Sequence, residues 1–175
     1  IDETNMTMVA WAGTPLQALQ EAALEKNLYL PIDLGARGSC TIGGNIATNA
    51  GGTEVIRFGM TRSSVLGLEA VLSDGTVVSA MNRMIKNNSG YDLKHLFIGT
   101  EGTLGVVSRV VLQLQPSPIS THTALCALED YGSVISVLNN LKLRLGGGLT
   151  GFELMWANYF DGVINMIPHL KNPFL

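Results

Sequence analysis

Charge is scarce in this chain of 175 residues: Asp, Glu, Lys and Arg together make up 14%, and the net charge is −3. That balance leaves no electrostatic footprint for nucleic acid or for an anionic membrane surface. No run of 18 apolar residues occurs, so no segment has the length of a membrane-spanning helix. Cysteine is nearly absent too. Cys40 and Cys126 lie far apart without CxxC spacing, which excludes a disulfide framework and a zinc cluster. The same scarcity points to a reducing compartment, the cytoplasm or, in a eukaryote, the mitochondrial matrix. What remains is 46% hydrophobic with 20 glycines, too apolar for disorder and long enough for a substantial core. The chain opens on Ile1 and stops soon after a helical pattern, which predicts a piece of a longer polypeptide.

Periodicity predicts an α+β chain. Met6 to Ala12 reads as a strand. Thr14-Pro15-Leu16-Gln17 then opens a helix, with Thr14 as N-cap and Pro15 at the first helical position. Val65–Leu72 and Thr76–Ala80 flank Asp74-Gly75, the strongest hairpin signal in the chain. Asp92 to Phe97 reads as one or two helical turns, and Leu104 to Leu114 as a long strand stopped by Pro116. Pro116-Ser117-Pro118 is the best boundary, dividing 1–116 from 117–175. Beyond it the pattern is strand (Thr121–Leu128), helix (Val134, Leu138, Leu141 and Leu145 on one face), strand (Thr150–Trp156) and helix (Phe160 to Ile167). Trp11 and Trp156, both on predicted strands, read as core residues.

The most informative stretch runs from Gly35 to Gly52, with six glycines and no carboxylate in eighteen residues. Backbone without Cβ lets a ligand approach closely and lets several N–H groups converge on an anion. A helix opening at Gly43 or Gly44 would aim free N–H groups at a phosphate. A loop of tight turns and close packing has the same composition, so the residues alone leave both readings open. No Gly-Lys-Ser/Thr follows, which excludes a Walker loop. Gly146, Gly148 and Gly151 form GxGxxG between a helix and a strand, the reverse of the dinucleotide order, so they read as a helix stop.

In a second stretch Gly99, Gly102 and Gly105 bracket Glu101 at the mouth of the long strand. Glu101 could cap N–H groups or bind a ligand hydroxyl, and Gly105 would let a flat ligand lie beside Val106 and Val107. His95, His122 and His169 are isolated in sequence and no metal site is predicted. Arg57, Arg62 and Arg83 read as solvated or structurally paired rather than as substrate clamps, and Glu153 as a surface residue or a substrate contact.

Pro31-Ile32-Asp33-Leu34-Gly35, Thr41-Ile42-Gly43-Gly44-Asn45-Ile46-Ala47-Thr48-Asn49-Ala50-Gly51-Gly52, Asn88-Ser89-Gly90-Tyr91-Asp92-Leu93 and Phe97-Ile98-Gly99-Thr100-Glu101-Gly102-Thr103-Leu104-Gly105-Val106-Val107 occur in order and at compatible spacing. Together they resemble FAD-linked oxidoreductases of the vanillyl-alcohol oxidase/p-cresol methylhydroxylase type. The nearest branch is that of the glycolate oxidase subunit and the D-lactate and D-2-hydroxyglutarate dehydrogenases, and the resemblance spans about Val9 to Pro116. It implies the second half of a two-subdomain FAD-binding domain, followed by the start of an α+β, ferredoxin-like cap domain that holds substrate. It further implies that Gly35, Ala36, Ser39, Ile42, Gly43, Gly44, Asn45, Thr48, Asn49, Gly51 and Gly52 line FAD and its pyrophosphate, and that Gly105, Val106 and Val107 pack on its ribose or adenine end.

The implied reaction takes a small-molecule D-2-hydroxy acid to a 2-oxo acid by hydride transfer to flavin N5, with an electron acceptor that the residues do not name. The family's Arg-Gly-Gly-Gly-Thr-like phosphate loop and its C-terminal histidines do not occur here, so the catalytic residues lie outside the sequence and the piece alone is expected to be inactive. Two alternatives stand beside this reading. One is an alcohol or aldonolactone oxidase of the same fold; the other is a non-catalytic module without cofactor. Unpaired strand edges would favour homo-oligomers.

Overall fold

The computed structural model describes residues 1–174. Its centre is a four-stranded antiparallel sheet in the order β1-β5-β3-β4, built from β1 (Thr7–Trp11), β3 (Val65–Val71), β4 (Val77–Ala80) and β5 (Val106–Gln113). A two-residue pair, β2 (Leu28–Tyr29) with β6 (Gln115–Pro116), closes one end; Pro116 lies on this short edge strand, where its missing N–H costs no central ladder bond. The predicted hairpin forms as read. Leu72 N–H donates to Thr76 O at 2.9 Å, Gly75 N–H to Leu72 O at 3.0 Å, and Gly75 adopts φ +85°.

Alternation in β1 and β5 places Met8, Ala10, Val110 and Leu112 on one face, where Leu68 and Ala70 of β3 join them. Against that face pack α1 (Leu16–Leu24) and α2 (Ile42–Ala47), supplying Leu16, Leu19, Ala23, Ile42 and Ile46 to one core. The short helices α3 (Val55–Phe58), α4 (Thr61–Ser64) and α5 (Lys94–Phe97) connect these layers.

The start of α1 differs from the expected cap. The helix begins at Leu16, Pro15 occupies the N-cap position, and no side chain caps it. Its first donors are satisfied from a distance: Leu16 N–H donates to Cys40 O and Gln17 N–H to Arg37 O, both at 3.0 Å. The glycine-rich run therefore caps α1.

Beyond Pro116, α6 (Tyr131–Leu145) and α7 (Ala157–Met166) form as expected. Asp130 accepts Ser133 N–H at 2.7 Å to start α6, and Gly146 at φ +50° ends it. The expected strands at Thr121–Leu128 and Thr150–Trp156 do not form; both stretches are irregular and largely exposed. A strand needs a partner ladder, and among the described residues none lies beside them.

Trp11 and Trp156 are also not core residues, being 67% and 60% exposed. Trp11 lies on the sheet face opposite the helices, at the end of it where Val9 is exposed too, and Trp156 stacks on Tyr131 with ring centroids 6.3 Å apart. On that open face a row crosses three strands. The Arg109 guanidinium lies 5.4 Å from the centre of the Trp11 ring, and Glu69 accepts from Arg109 Nε at 3.0 Å, from Arg109 Nη2, and from Ser108 Oγ at 2.7 Å. The Arg109 hydrogen bonds, then that from Ser108, hold the Glu69 carboxyl at about 2, below its ordinary 4.5. A depressed carboxylate stabilises the fold above pH 4.5 and loses that contribution as the pH falls toward 2. Carboxyl-carbon NMR of the wild type is expected to show Glu69 titrating near 2. Arg109→Met should move the midpoint up toward 4.5, and a wild-type midpoint already there would contradict the ladder.

Candidate functional site

The two glycine-rich stretches meet at α2. Residues 35–41 lead into its N-terminus, and the loop 98–101 closes its C-terminus, where Gly99 N–H donates to Ile46 O at 3.0 Å and Glu101 N–H to Ala47 O at 2.9 Å. Gly99 at φ +86°, Glu101 at +53° and Gly102 at +81° give that loop the left-handed backbone it needs. Glu101 thus caps through its main chain rather than through its carboxylate.

The helix opens one residue before the expected glycines, at Ile42, and its N–H groups are not free. Ile42 N–H donates to Thr14 O at 3.0 Å, Gly43 N–H to Ala12 O at 2.8 Å, and Gly44 N–H to the Thr41 hydroxyl at 3.4 Å. The expectation that this helix start faces a phosphate is therefore corrected. The donors left open lie on either side of it. Among the described residues, the N–H groups of Gly35, Ala36, Gly38, Gly51 and Gly52 bond to no acceptor.

The remaining expected contacts divide by surroundings. Gly35, Ala36, Ser39, Gly44, Thr48 and Gly51 are exposed, and no atom lies within 4 Å of a Cβ built on Gly35. Ile42 is fully buried and Gly43 packs against Ala12, where an added Cβ would meet the Ala12 Cβ at 2.6 Å; both serve the core. Gly52 lies over Asp33, and its Cβ would fall 1.5 Å from Asp33 O. Gly105 offers no space to a flat ligand on its open side, since Val71 O and the Phe97 ring would stand 2.9 and 3.1 Å from a Cβ there. Val106 is 69% exposed on the open sheet face, while Val107 turns to the core. Beside Gly105 lies an apolar hollow of about 290 Å³ lined by Leu72, Val78, Leu93, Leu96, Phe97 and Leu104.

Asn45 carries the clearest sign of a missing partner. It is 3% exposed, and its Nδ2 is buried without a hydrogen bond. An orphaned buried amide costs about 1–3 kcal/mol, and a ligand acceptor would relieve it. The run from Gly35 to Gly52 carries no carboxylate and leaves N–H groups open at Gly35, Ala36, Gly38, Gly51 and Gly52, which suits an anionic cofactor such as a flavin dinucleotide.

The other candidates are absorbed by the fold. The Arg57 guanidinium lies 4.7 Å from the centre of the Phe58 ring, and Arg83 pairs with Asp2 at 3.0 Å. Glu153 is exposed on an irregular stretch. No group of three or more His, Cys, Asp or Glu side chains that could hold a metal occurs among the described residues. Gly146 to Gly148 form a single 3-10 turn after α6, in keeping with a helix stop, and Gly151 packs against Thr53 O.

Two features were not read from the sequence. Tyr29 donates to Glu54, and burial followed by that carboxylate raises its phenol. Arg62 reaches His95 and Ile98, a pairing across more than thirty residues that no local signal announces. His95 is held below its ordinary 6.5, first by burial and then by Lys94; Asp92 opposes this, and Arg62 adds to it.

Residues 1–81 match the FAD binding domain family. The chain is 44% identical over 172 residues to the mitochondrial D-2-hydroxyglutarate dehydrogenase of Arabidopsis thaliana, covering 98% of this chain and 31% of that protein. It is 46% identical over 150 residues to the mitochondrial D-2-hydroxyglutarate dehydrogenase of Bos taurus, covering 86% of this chain and 28% of the relative. To the D-2-hydroxyglutarate dehydrogenase of Xanthomonas citri pv. viticola it is 46% identical over 158 residues, covering 90% and 33%. The chain thus spans about a third of the length of these relatives. Among solved structures, alkyldihydroxyacetonephosphate synthase shares the fold with a TM-score of 0.60 at 23% identity, over 69% of this chain and 21% of that one.

Two outcomes follow from this geometry. Gly52→Ala should destabilise the chain by about 3 kcal/mol in urea unfolding, because main chain must move, while Gly35→Ala stays within about 0.5 kcal/mol. Equal effects would refute the packing at Asp33. For His95 the neutral imidazole is favoured in the fold, so its contribution is complete above pH 6.5 and declines as the pH falls below it. An imidazole NMR titration should therefore give a midpoint under 6.5, and one above it would contradict the arrangement.

Proposed function

We propose that this chain, which carries an FAD binding domain of the FAD-linked oxidoreductase type, is the cofactor-holding segment of a dehydrogenase that oxidises a D-2-hydroxy acid to a 2-oxo acid. The observation that carries the reading is the 44% identity to a D-2-hydroxyglutarate dehydrogenase over 172 residues, a span that includes both glycine-rich stretches. D-2-hydroxyglutarate is accordingly the substrate to try first.

In this reading the open N–H groups of Gly35, Ala36, Gly51 and Gly52 receive the pyrophosphate. Ser39, Gly44, Thr48 and Asn49 form the surface around them, and Asn45 Nδ2 finds its acceptor on the cofactor. Ile42 and Gly43 fix α2 in place beneath it. The apolar hollow beside Gly105 and Val107 takes the adenine end, while Val106 lies on the opposite face of the sheet, outside it. FAD, when bound, supplies the acceptor for the substrate's α-hydride. The task of this chain is to bind and orient it; proton transfer from the substrate hydroxyl and clamping of its carboxylate fall to parts of the protein outside these residues.

Residues 117–175, with α6 and α7, begin the substrate-holding cap, and the division falls at Pro116. The expected strands there would form when partner strands from the rest of the protein lie beside them. The compartment is the mitochondrial matrix in a eukaryote and the cytoplasm in a bacterium. The electron acceptor is a separate partner, and the edges of the sheet are where a homo-oligomer would pair.

Titration of the purified chain with FAD tests the reading. Stoichiometric binding at micromolar FAD, with a changed flavin absorbance and fluorescence, is expected. In the full-length protein the bound flavin should bleach on adding D-2-hydroxyglutarate and not on adding a primary alcohol or an aldonolactone. Bleaching by the alcohol or lactone would favour an oxidase of the same fold. A chain that stays colourless and binds no FAD would favour a non-catalytic module.

A further inference from the structure

Arg62 stands at the junction of the two glycine-rich stretches and belongs to neither. It lies in the first turn of α4, ten residues after Gly52. Its backbone N–H donates to Asn49 Oδ1 at 3.0 Å and so fixes the residue that leaves α2 at φ +47°. Its side chain crosses to the other stretch. Nη1 donates to His95 O at 3.0 Å and lies 3.0 Å from His95 Nδ1, and Nη2 donates to Ile98 O.

Directly after Ile98, Gly99 and Glu101 cap α2. A Cβ on Gly99 would sit 3.4 Å from Asn49 Cβ and 3.6 Å from Arg62 Nη2, so both stretches and the guanidinium share one contact. A single residue thus grips Asn49 with its main chain and the Gly99 loop with its side chain.

We propose that Arg62 is a positioning residue of the cofactor site, locking the Gly99–Gly105 loop onto α2 and Asn49 so that the two stretches present one surface. The proposal rests on the reading that these stretches hold FAD. Arginine suits the task for a geometric reason. Two carbonyls and a ring nitrogen in different directions call for a planar fork of several donors, which an ammonium on a flexible stem does not pre-organise. The carbonyls it takes lie in and just after α5, where intrahelical partners run out. Its charge is also unspent, since among the described residues no carboxylate lies within ion-pair distance of it. A fixed cation beside the carboxylate-free run from Gly35 to Gly52 favours an anionic ligand there.

The test compares Arg62→Met, which keeps the length and removes the donors, with Arg62→Lys, which keeps the charge. Arg83→Met serves as a control, since Arg83 pairs with Asp2, a residue of neither glycine-rich stretch. The first measurement is amide hydrogen exchange without cofactor. Arg62→Met should speed exchange at Gly99 and Glu101 about tenfold and leave Val110 and Leu112 of β5 unchanged, with Arg62→Lys between and Arg83→Met like wild type. The second is FAD affinity, read by flavin fluorescence, which should weaken about tenfold in Arg62→Met and recover in part in Arg62→Lys.

Wild-type exchange in Arg62→Met, or acceleration spread equally over β5, overturns the lock. Faster local exchange with unchanged FAD affinity makes Arg62 a brace and overturns its cofactor role. Failure of the wild-type chain to bind FAD overturns the reading of the site and that role with it, while the exchange data still decide the lock.

Discussion

The structure depends on six residues of helix, α2, whose two ends are held by segments distant in sequence. At its start the approach to β1 is so close that only glycine fits at position 43. Short helices are not stable by themselves, since nucleation costs more than one turn of hydrogen bonds returns. This one persists because Ala12 and Thr14 take its first N–H groups, and because Gly99 and Glu101 supply the N–H groups its last carbonyls need. Ile42 and Ile46 then anchor it in the core beneath the sheet.

That arrangement explains how one glycine-rich stretch serves two purposes. Gly43 and Gly52 are required by packing, against Ala12 and Asp33 respectively, whereas Gly35 is surrounded by space. The composition that signals a cofactor surface is thus partly a signature of tight backbone crossings. The open donors lie where the chain enters and leaves α2, and the helix itself acts as the platform between them. The orphaned Asn45 amide faces the same question as those donors: each needs an acceptor that the protein does not provide.

Legibility in the sequence followed the range of the interactions. The Asp74-Gly75 hairpin, the stop at Gly146 and the face of α1 are legible in the sequence, whereas of the expected α6 face Val134 is buried and Leu145 lies exposed. The four-stranded order is not legible, because β1 pairs with β5 across a hundred residues and Val65 and Ala70 sit beside register shifts. Alternation at 121–128 and 150–156 predicts strands that do not form, since alternation reports a preference while a ladder requires a neighbour. Trp11 lies outside the core for a related reason: alternation identifies two faces, but not which part of each is covered. The two stretches around α2 were found from glycine content and resemblance, whereas the Arg62 contacts that join them left no local trace.

The open position of both tryptophans governs how this chain looks spectroscopically. Each indole is already largely in water in the folded state, one beneath a guanidinium and the other against a tyrosine ring. Ultraviolet emission therefore starts near the red end of its range and has little distance left to shift when the chain unfolds. A melt followed by tryptophan colour would pass over the collapse of the core almost in silence, and the backbone dichroism of the sheet and helices is the signal that would register it.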